Sequence, residues 1–184
     1  MHELILGGQK SGKSRAAEMR AAAWLRKPRC EAVLVATAEA GDAEMAARIA
    51  RHRADRATRV PGLVTHEEPR ELPAALARWC APNRLVVVDC LTLWLTQLAM
   101  PLRGEAATAQ QMDAAREALV AALQGAHGPV LLVSNEIGLG LAPLTAEARR
   151  AVDALGALHQ AVAAACARVT LIVAGCELAV KAPR

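Results

Sequence analysis

Gly7-Gly8-Gln9-Lys10-Ser11-Gly12-Lys13-Ser14 holds glycines, lysines and serines in the spacing Gly-x-x-x-x-Gly-Lys-Ser. Residues of these types at this spacing bind polyphosphate, because the backbone N–H groups of a glycine-rich turn and of the helix after it converge on one anion. Gly7, Gly8 and Gly12 allow the backbone angles and the close approach that this needs. Lys13 can reach the β- and γ-phosphates, and the Ser14 hydroxyl can ligate Mg²⁺. The flanks match the P-loop pattern: the apolar run Leu4–Leu6 precedes it as a strand, and a helix-like segment of about Ser14–Leu25 follows. The chemistry expected of these residues is binding of a nucleoside triphosphate.

Two further groups can act on such a ligand. The run Leu85-Val86-Val87-Val88-Asp89 reads as a strand ending in an acid, which beside a P-loop holds the magnesium shell. From Asp42 to Arg56 the pattern is helical, with Asp42 as N-cap and Glu44 in the first turn. Met45, Arg48, Ile49, His52 and Arg56 fall on one stripe of that helix, apolar at its start and cationic at its end. Five arginines lie between Arg48 and Arg59, so its second half reads either as a solvated basic face or as one that meets a polyanion. Neutral imidazole is a nucleophile or base near pH 7, which is the chemical role open to His52.

The elements that must carry these residues are strands and helices in alternation. Leu4–Leu6, Ala32–Ala36, Leu85–Val88, Val130–Val133 and Val169–Val173 are apolar runs separated by helical segments. This is the pattern of an α/β, P-loop NTPase-like fold: a mostly parallel sheet of about five or more strands covered by helices, one domain over residues 1–184. Ligands of such sheets bind at the carboxyl ends of the strands. The segments Thr37-Ala38-Glu39 and Ser134–Pro143 exit strands at that edge, and Asn135 and Glu136 stand in the zone for substrate or nucleotide contacts. Arg59-Val60-Pro61-Gly62 reads as a loop leading to Leu63-Val64-Thr65-His66-Glu67-Glu68-Pro69, with His66 a surface loop residue, Glu67 and Glu68 complementing a helix dipole, and Pro69 opening a helix that carries Leu72, Leu76 and Trp79 on one face. Cys90–Leu98 reads as a buried helix and 103–111 as a polar connection. Thr145 caps a long helix that turns Val152, Leu155, His159 and Val162 inward as packing residues. The last strand ends at Gly175, and Lys181 and Arg184 form a short basic tail.

Composition narrows the partners. The chain has 184 residues, 54% hydrophobic, yet no apolar run reaches membrane-spanning length. The P-loop strand begins at once, so no secretory leader is expected. Cys30, Cys80, Cys90, Cys166 and Cys176 are odd in number and form no C-x-x-C pair, as reduced thiols of a cytoplasmic protein would. A formal charge of +4 and 2% aromatics, with no Phe or Tyr, argue against nucleic-acid binding. On the residues alone, a P-loop small-molecule kinase without nucleotidyl transfer and a nucleotide-binding regulatory switch both remain open.

The chain resembles one family over nearly its whole length: the bifunctional adenosylcobinamide kinase/adenosylcobinamide-phosphate guanylyltransferases of cobalamin biosynthesis. The resemblance rests on Gly7–Ser14, Ala36-Thr37-Ala38, Asp42–Arg53, Thr65–Pro69, Asp89-Cys90-Leu91-Thr92-Leu93-Trp94-Leu95 and Ser134–Pro143. Glu-Met-x-x-Arg-Ile-x-x-His-Arg and Asn-Glu-x-Gly-x-Gly, in this order, are its most specific parts. It implies transfer of a γ-phosphate from ATP or GTP to the aminopropanol hydroxyl of adenosylcobinamide. It implies next that a histidine, here His52, takes GMP from GTP and passes it to adenosylcobinamide phosphate. The GTP contacts it implies are the P-loop residues, Thr37, Ala38, Glu39, Arg53, Ala54, Asp55, Arg56, Glu67 and Asp89, with Mg²⁺ held through Ser14, Asp89 and the nucleotide. It also implies a homo-oligomer, a trimer. The sequence departs from the family after the basic helix, where a longer connection, Ala57–Gly62, leads to Leu63 in place of a tryptophan.

Overall fold

The computed structural model describes residues 2–182. Its elements in chain order are β1 (Glu3–Gly7), α1 (Lys13–Leu25), β2 (Glu31–Ala36), α2 (Ala43–Arg59), β3 (Leu63–Glu67), α3 (Leu72–Trp79) and β4 (Arg84–Asp89). They continue as α4 (Leu91–Ala99), α5 (Ala109–Gln124), β5 (Val130–Asn135), α6 (Ala146–Ala165), β6 (Arg168–Val173) and β7 (Cys176–Lys181). The strands form one sheet in the order β3-β2-β4-β5-β1-β6-β7. Only the β6–β7 pair is antiparallel.

Strand alternation sends each apolar run to two cores. Val33 and Val35 of β2, Val86 and Val88 of β4, and Leu4 of β1 face α3, α4, α5 and α6. There they meet Leu72, Leu76, Leu91, Trp94, Leu119, Leu123 and Leu158, all essentially without solvent contact. Each such leucine contributes roughly 1.5–3 kcal/mol of transfer free energy. Ala32, Leu34, Leu85, Val87 and Val133 face the other way, onto Ala17 and Ala21 of α1 and onto Val60. The expected parallel sheet between helical layers is therefore present. Residues small enough for close approach, Ala17 and Ala21, sit where the P-loop helix lies against the sheet.

Several sequence expectations are corrected. His66 is not a loop residue, because Leu63–Glu67 forms the edge strand β3, parallel to β2, with Val35 opposite His66 and Ala36 opposite Glu67. His66 stacks on Trp79 with ring centroids 3.9 Å apart. The helix after it begins at Leu72 rather than Pro69, with Pro73 in its first turn. The Glu68 carboxylate prepares that turn by accepting from the backbone N–H of Arg70 and of Glu71. The polar connection ends earlier than expected, because Thr108 and Gln111 form a reciprocal capping box that starts α5 at Ala109. The chain does not stop as a strand at Gly175. It turns there into β7, where Lys181 donates to the carbonyls of Ala163 and Cys166. Arg184 lies outside the described residues.

Candidate active site

The P-loop folds as its residue types require. Lys10 and Gly12 take left-handed backbone angles, with φ of 57° and 101°. Ser11 N–H donates to the Gly8 carbonyl at 3.2 Å, and Gly175 N–H donates to the Ser11 carbonyl at 2.9 Å, so the β6–β7 turn braces the loop. A Cβ on Gly7 would lie 2.7 Å from the Ile172 carbonyl and would also collide with Ser11, which makes Gly7 obligatory where β1 enters the turn. A Cβ on Gly8 would meet nothing, so that position is free for a ligand. Lys13 folds back onto the Gly8 carbonyl at 3.1 Å. Burial holds its ammonium below the ordinary lysine range, helped by Arg48 and opposed by Cys90 and Asp89.

Beside the loop lies a cleft of about 300 Å³ at the carboxyl edge of the sheet. Gln9, Lys10, Lys13 and Ser14 form one wall, with Asp89 at the end of β4 and Asn135 at the end of β5. The opposite wall is α2, which turns Met45, Arg48, Ile49, His52, Arg53 and Arg56 towards the cleft. The helical stripe inferred from the sequence thus lines this cleft, with Arg48, His52 and Arg53 exposed to solvent there. Asp42 caps the helix as expected, its carboxylate accepting from Met45 N–H at 2.7 Å. Burial pushes the Asp89 carboxyl above the usual range, while Ser14, Arg56 and Lys13 pull it back. By donor type, the Asp89 carboxylate and the Ser14 hydroxyl beside it fit a nucleotide-bound Mg²⁺. Among the described residues no cluster of three or more His, Cys, Asp or Glu forms a metal cage, so a cation here would depend on the nucleotide for most of its ligands.

The basic residues of α2 divide into two sets. Arg48 and Arg53 face the cleft, and Arg53 pairs with Glu67 at the end of β3. Arg56 also lines it, but its guanidinium donates to the Thr65 hydroxyl at 3.1 Å and lies 3.6 Å from Glu18 of α1. Arg59 binds Glu18 directly, at 2.8 and 3.2 Å. Arg51 is exposed and does not line the cleft. Of the residues expected from the resemblance, Ala54 and Asp55 are exposed and turn away from the cleft, Asp55 towards Arg59. Ala38 lines it, while Glu39 lines a neighbouring recess with Ala38 and Glu67. Thr37 is fully buried and its hydroxyl is occupied on both sides, donating to the Cys90 carbonyl and accepting from Cys90 N–H. It joins β2 to the end of β4 and so fixes the strand end that presents Asp89.

The sequence motifs include Ala36, Thr65, Cys90 and Leu93 but gave them no site role, and these four complete the cleft. Thr65 became visible as a lining residue only with β3, since its inward direction depends on strand register. His159 was expected to be a packing residue. It is buried, but it also belongs to a polar chain at the end of β5: its Nε2 lies 2.7 Å from the Ser134 hydroxyl, which lies 3.0 Å from the Thr92 hydroxyl.

The family model described as cobinamide kinase / cobinamide phosphate guanyltransferase matches residues 3–180. The bifunctional adenosylcobalamin biosynthesis protein CobP of Pseudomonas aeruginosa is 46% identical over 181 residues, covering 98% of each chain. CobU of Salmonella typhimurium, which bears the same description, is 34% identical over 97% of this chain and 98% of its own. Among solved structures, the flagellar accessory protein FlaH of Methanocaldococcus jannaschii aligns with a TM-score of 0.51 at 10% identity, over 99% of this chain and 78% of that one, a likeness of fold alone. By the match along its length and by its relatives, this chain belongs to the cobinamide kinase / cobinamide phosphate guanyltransferase family.

Proposed function

We propose that this chain, as one domain over residues 1–184, phosphorylates the aminopropanol hydroxyl of adenosylcobinamide with ATP or GTP and then transfers GMP from GTP to the resulting phosphate, with His52 as the covalent carrier. The observation that carries this reading is the shared cleft: His52 and Arg48 on α2 face the same space as Lys13, Ser14 and Asp89. A kinase without nucleotidyl transfer needs no histidine opposite its P-loop.

In the first reaction the substrate hydroxyl oxygen attacks the γ-phosphorus, and the bond to the β,γ-bridging oxygen breaks with its electron pair leaving on the diphosphate. In the second, a His52 ring nitrogen attacks the α-phosphorus of GTP, an N–P bond forms and pyrophosphate departs. A phosphate oxygen of the corrinoid then attacks the same phosphorus and frees the histidine. Dividing one transfer into two displacements is covalent catalysis. Lys13, Arg48 and Arg53 stand where charge shifts during each step, and such fixed cations stabilise it without reorganising. Magnesium bound with the nucleotide supplies charge neutralisation across the phosphates, and Ser14 and Asp89 are the residues that would hold it. The two reactions address different phosphates, so one wall must shift between them. That wall is α2, whose only buried residue is Arg56.

The reaction is read as cytoplasmic, where ATP and GTP are at hand. No helix among the described residues is long and apolar enough to cross a membrane. The chain is read as a homo-oligomer, a trimer as the resemblance implies. Leu139, Leu141 and Leu144, which are 82%, 99% and 96% exposed after β5, are the apolar surface that a second copy would cover. The test of the activity is incubation with Mg²⁺, adenosylcobinamide and GTP labelled at the α- or the γ-phosphate. The reading expects γ-label on the corrinoid first and α-label on it later. Gamma-label alone would reduce the protein to a kinase, and no label on the corrinoid would defeat the reading.

A further inference from the structure

The last helical connection of the sheet holds a carboxylate that neither the nucleotide contacts nor the guanylyl transfer uses. Glu136 directly follows β5, the strand between the one that ends in Asp89 and the one that enters the P-loop. Asn135 is level with Gly7 in the sheet, and Glu136 N–H donates to the Gly7 carbonyl at 3.0 Å. Its backbone is therefore fastened to the first residue of the phosphate loop. Asn135, its neighbour, lines the cleft with Lys13 and Asp89. On its other side Ile137 lines an apolar recess of about 440 Å³ between α4, α5 and α6, together with Leu95, Met112, Leu155 and Leu158.

The side chain is held from two directions. One oxygen accepts from Gly138 N–H at 2.6 Å, and a Cβ on Gly138 would stand only 3.1 Å from that oxygen. The other lies 3.7 Å from His159 Nδ1, too far for a hydrogen bond but close enough to be oriented by it. His159 is itself fixed. Burial lowers its pKa, with Glu136 opposing, so the neutral ring is the form favoured there. Thr92 Oγ1 accepts from Asn135 N–H at 2.8 Å, which leaves its hydroxyl hydrogen for Ser134. Ser134 can then donate to His159 Nε2, and Nδ1–H points towards Glu136. The chain of donors runs in one direction, from Thr92 to the carboxylate. Two other carboxylates of this region are occupied by arginine, Glu67 by Arg53 and Glu18 by Arg56 and Arg59. Among the described residues no lysine or arginine pairs with Glu136.

We propose that Glu136 is the general base of the phosphorylation step and that His159, through the Thr92–Ser134–His159 chain, is its positioning residue. This rests on the kinase half of the function proposed above. As the alcohol oxygen of the substrate bonds to the γ-phosphorus, its proton passes to the free oxygen of Glu136, and the nucleoside diphosphate leaves with the electron pair of the broken P–O bond. A carboxylate whose backbone is fastened to Gly7 of the loop, and whose neighbours Asn135 and Ile137 line a polar cleft and an apolar recess, suits an acceptor that is a bulky alcohol. The guanylyl transfer has no use for this base, because its nucleophiles are an imidazole and a phosphate.

Glu136→Gln tests it, since the amide keeps an oxygen for Gly138 N–H and loses only the ability to take a proton. Two assays are run on the full protein with Mg²⁺: γ-label transfer from ATP to adenosylcobinamide, and α-label incorporation from GTP into the protein in the absence of corrinoid. The expected result is a fall of about 10²–10⁴-fold in kcat of the first, with KM for adenosylcobinamide little changed and the second intact. Glu136→Asp should recover part of the lost kcat, and His159→Gln should lower kcat less than Glu136→Gln while sparing α-labelling. Phosphorylation by Glu136→Gln within about threefold of wild type, judged against that general-base contribution, overturns the proposal. So does an equal loss of both activities in Glu136→Gln and Glu136→Asp, which would make the residue structural. If wild-type protein phosphorylates no corrinoid, it is the parent reading that has failed.

Discussion

Glu18 of α1 accepts hydrogen bonds from both Nε and a terminal nitrogen of Arg59, and so ties the last turn of α2 to the helix that follows the P-loop. The same carboxylate, 4% exposed at its side chain, lies 3.6 Å from the buried guanidinium of Arg56. Arg56 Nε makes no hydrogen bond among the described residues, so Glu18 meets it by charge alone. Removing Glu18 strands a buried charge, whereas removing Arg59 takes away a partner that is more than one-third exposed. We therefore expect Glu18→Ala to cost about 3 kcal/mol and Arg59→Ala about 1 kcal/mol or less, measured by urea unfolding. Equal costs would show that Arg56 does not depend on Glu18.

Among the described residues the Lys13 ammonium hydrogen-bonds only to the Gly8 carbonyl. Its loss should leave the fold intact and remove the cation proposed to grip the triphosphate. Lys13→Ala is expected to abolish both γ-phosphate transfer and α-labelling, with unfolding midpoints close to wild type. Retained phosphorylation would mean that the two reactions do not share this loop.

Helix α2 is held at its C-terminal end by Glu18, Val60 and Thr65, and along the rest of its length it has no buried side chain. Two crystal structures, one with an unhydrolysed GTP analogue and one with the guanylylated protein, should differ in the position of His52 and Arg48 relative to Lys13. Identical α2 positions in the two states would count against movement of this wall.

Burial pushes the Cys90 thiol up to about 11 and the Cys166 thiol to about 12, from an ordinary 9.0. Because the native values exceed the unfolded ones, these thiols leave stability unchanged below pH 9 and lower it as pH rises towards 11 and 12, since the unfolded chain ionises first. Each thiol should contribute a slope of about 1.4 kcal/mol per pH unit there, and Cys90→Ala/Cys166→Ala should flatten the decline. At neutral pH a thiol reagent should modify exposed Cys176 quickly and reach Cys90 and Cys166 only on unfolding. Fast native modification of Cys90 would contradict its burial.

Much of this was legible before the structure. The phosphate loop, the capped basic helix and the acid that follows the Leu85–Val88 run each carry a local signal, a fixed spacing or a period, that survives without tertiary context. The strands at the two edges do not. Leu63–Glu67 is half polar and half exposed, and becomes a strand only because β2 offers it a free edge. Cys176–Lys181 is exposed on both faces and is held by its antiparallel pairing and by Arg20, which binds Glu177 at 2.8 and 2.9 Å. Thr37 shows the limit of inference by motif. It stands in a segment associated with nucleotide contact, yet its hydroxyl is spent on Cys90, a use visible only when β2 and β4 are side by side. Likewise no spacing in the chain announces that His159 meets Ser134, 25 residues away.

The transferase half of the proposed function turns on GMP becoming attached to His52. Wild-type protein and His52→Ala are incubated with Mg²⁺ and GTP labelled at the α-phosphate, without corrinoid, and the protein-bound label is tested for loss in acid, as expected of a phosphoramidate. Acid-labile label is expected on wild type and none on His52→Ala, with unimpaired γ-phosphate transfer to adenosylcobinamide by the variant. Alpha-label on His52→Ala at the wild-type level would overturn the assignment.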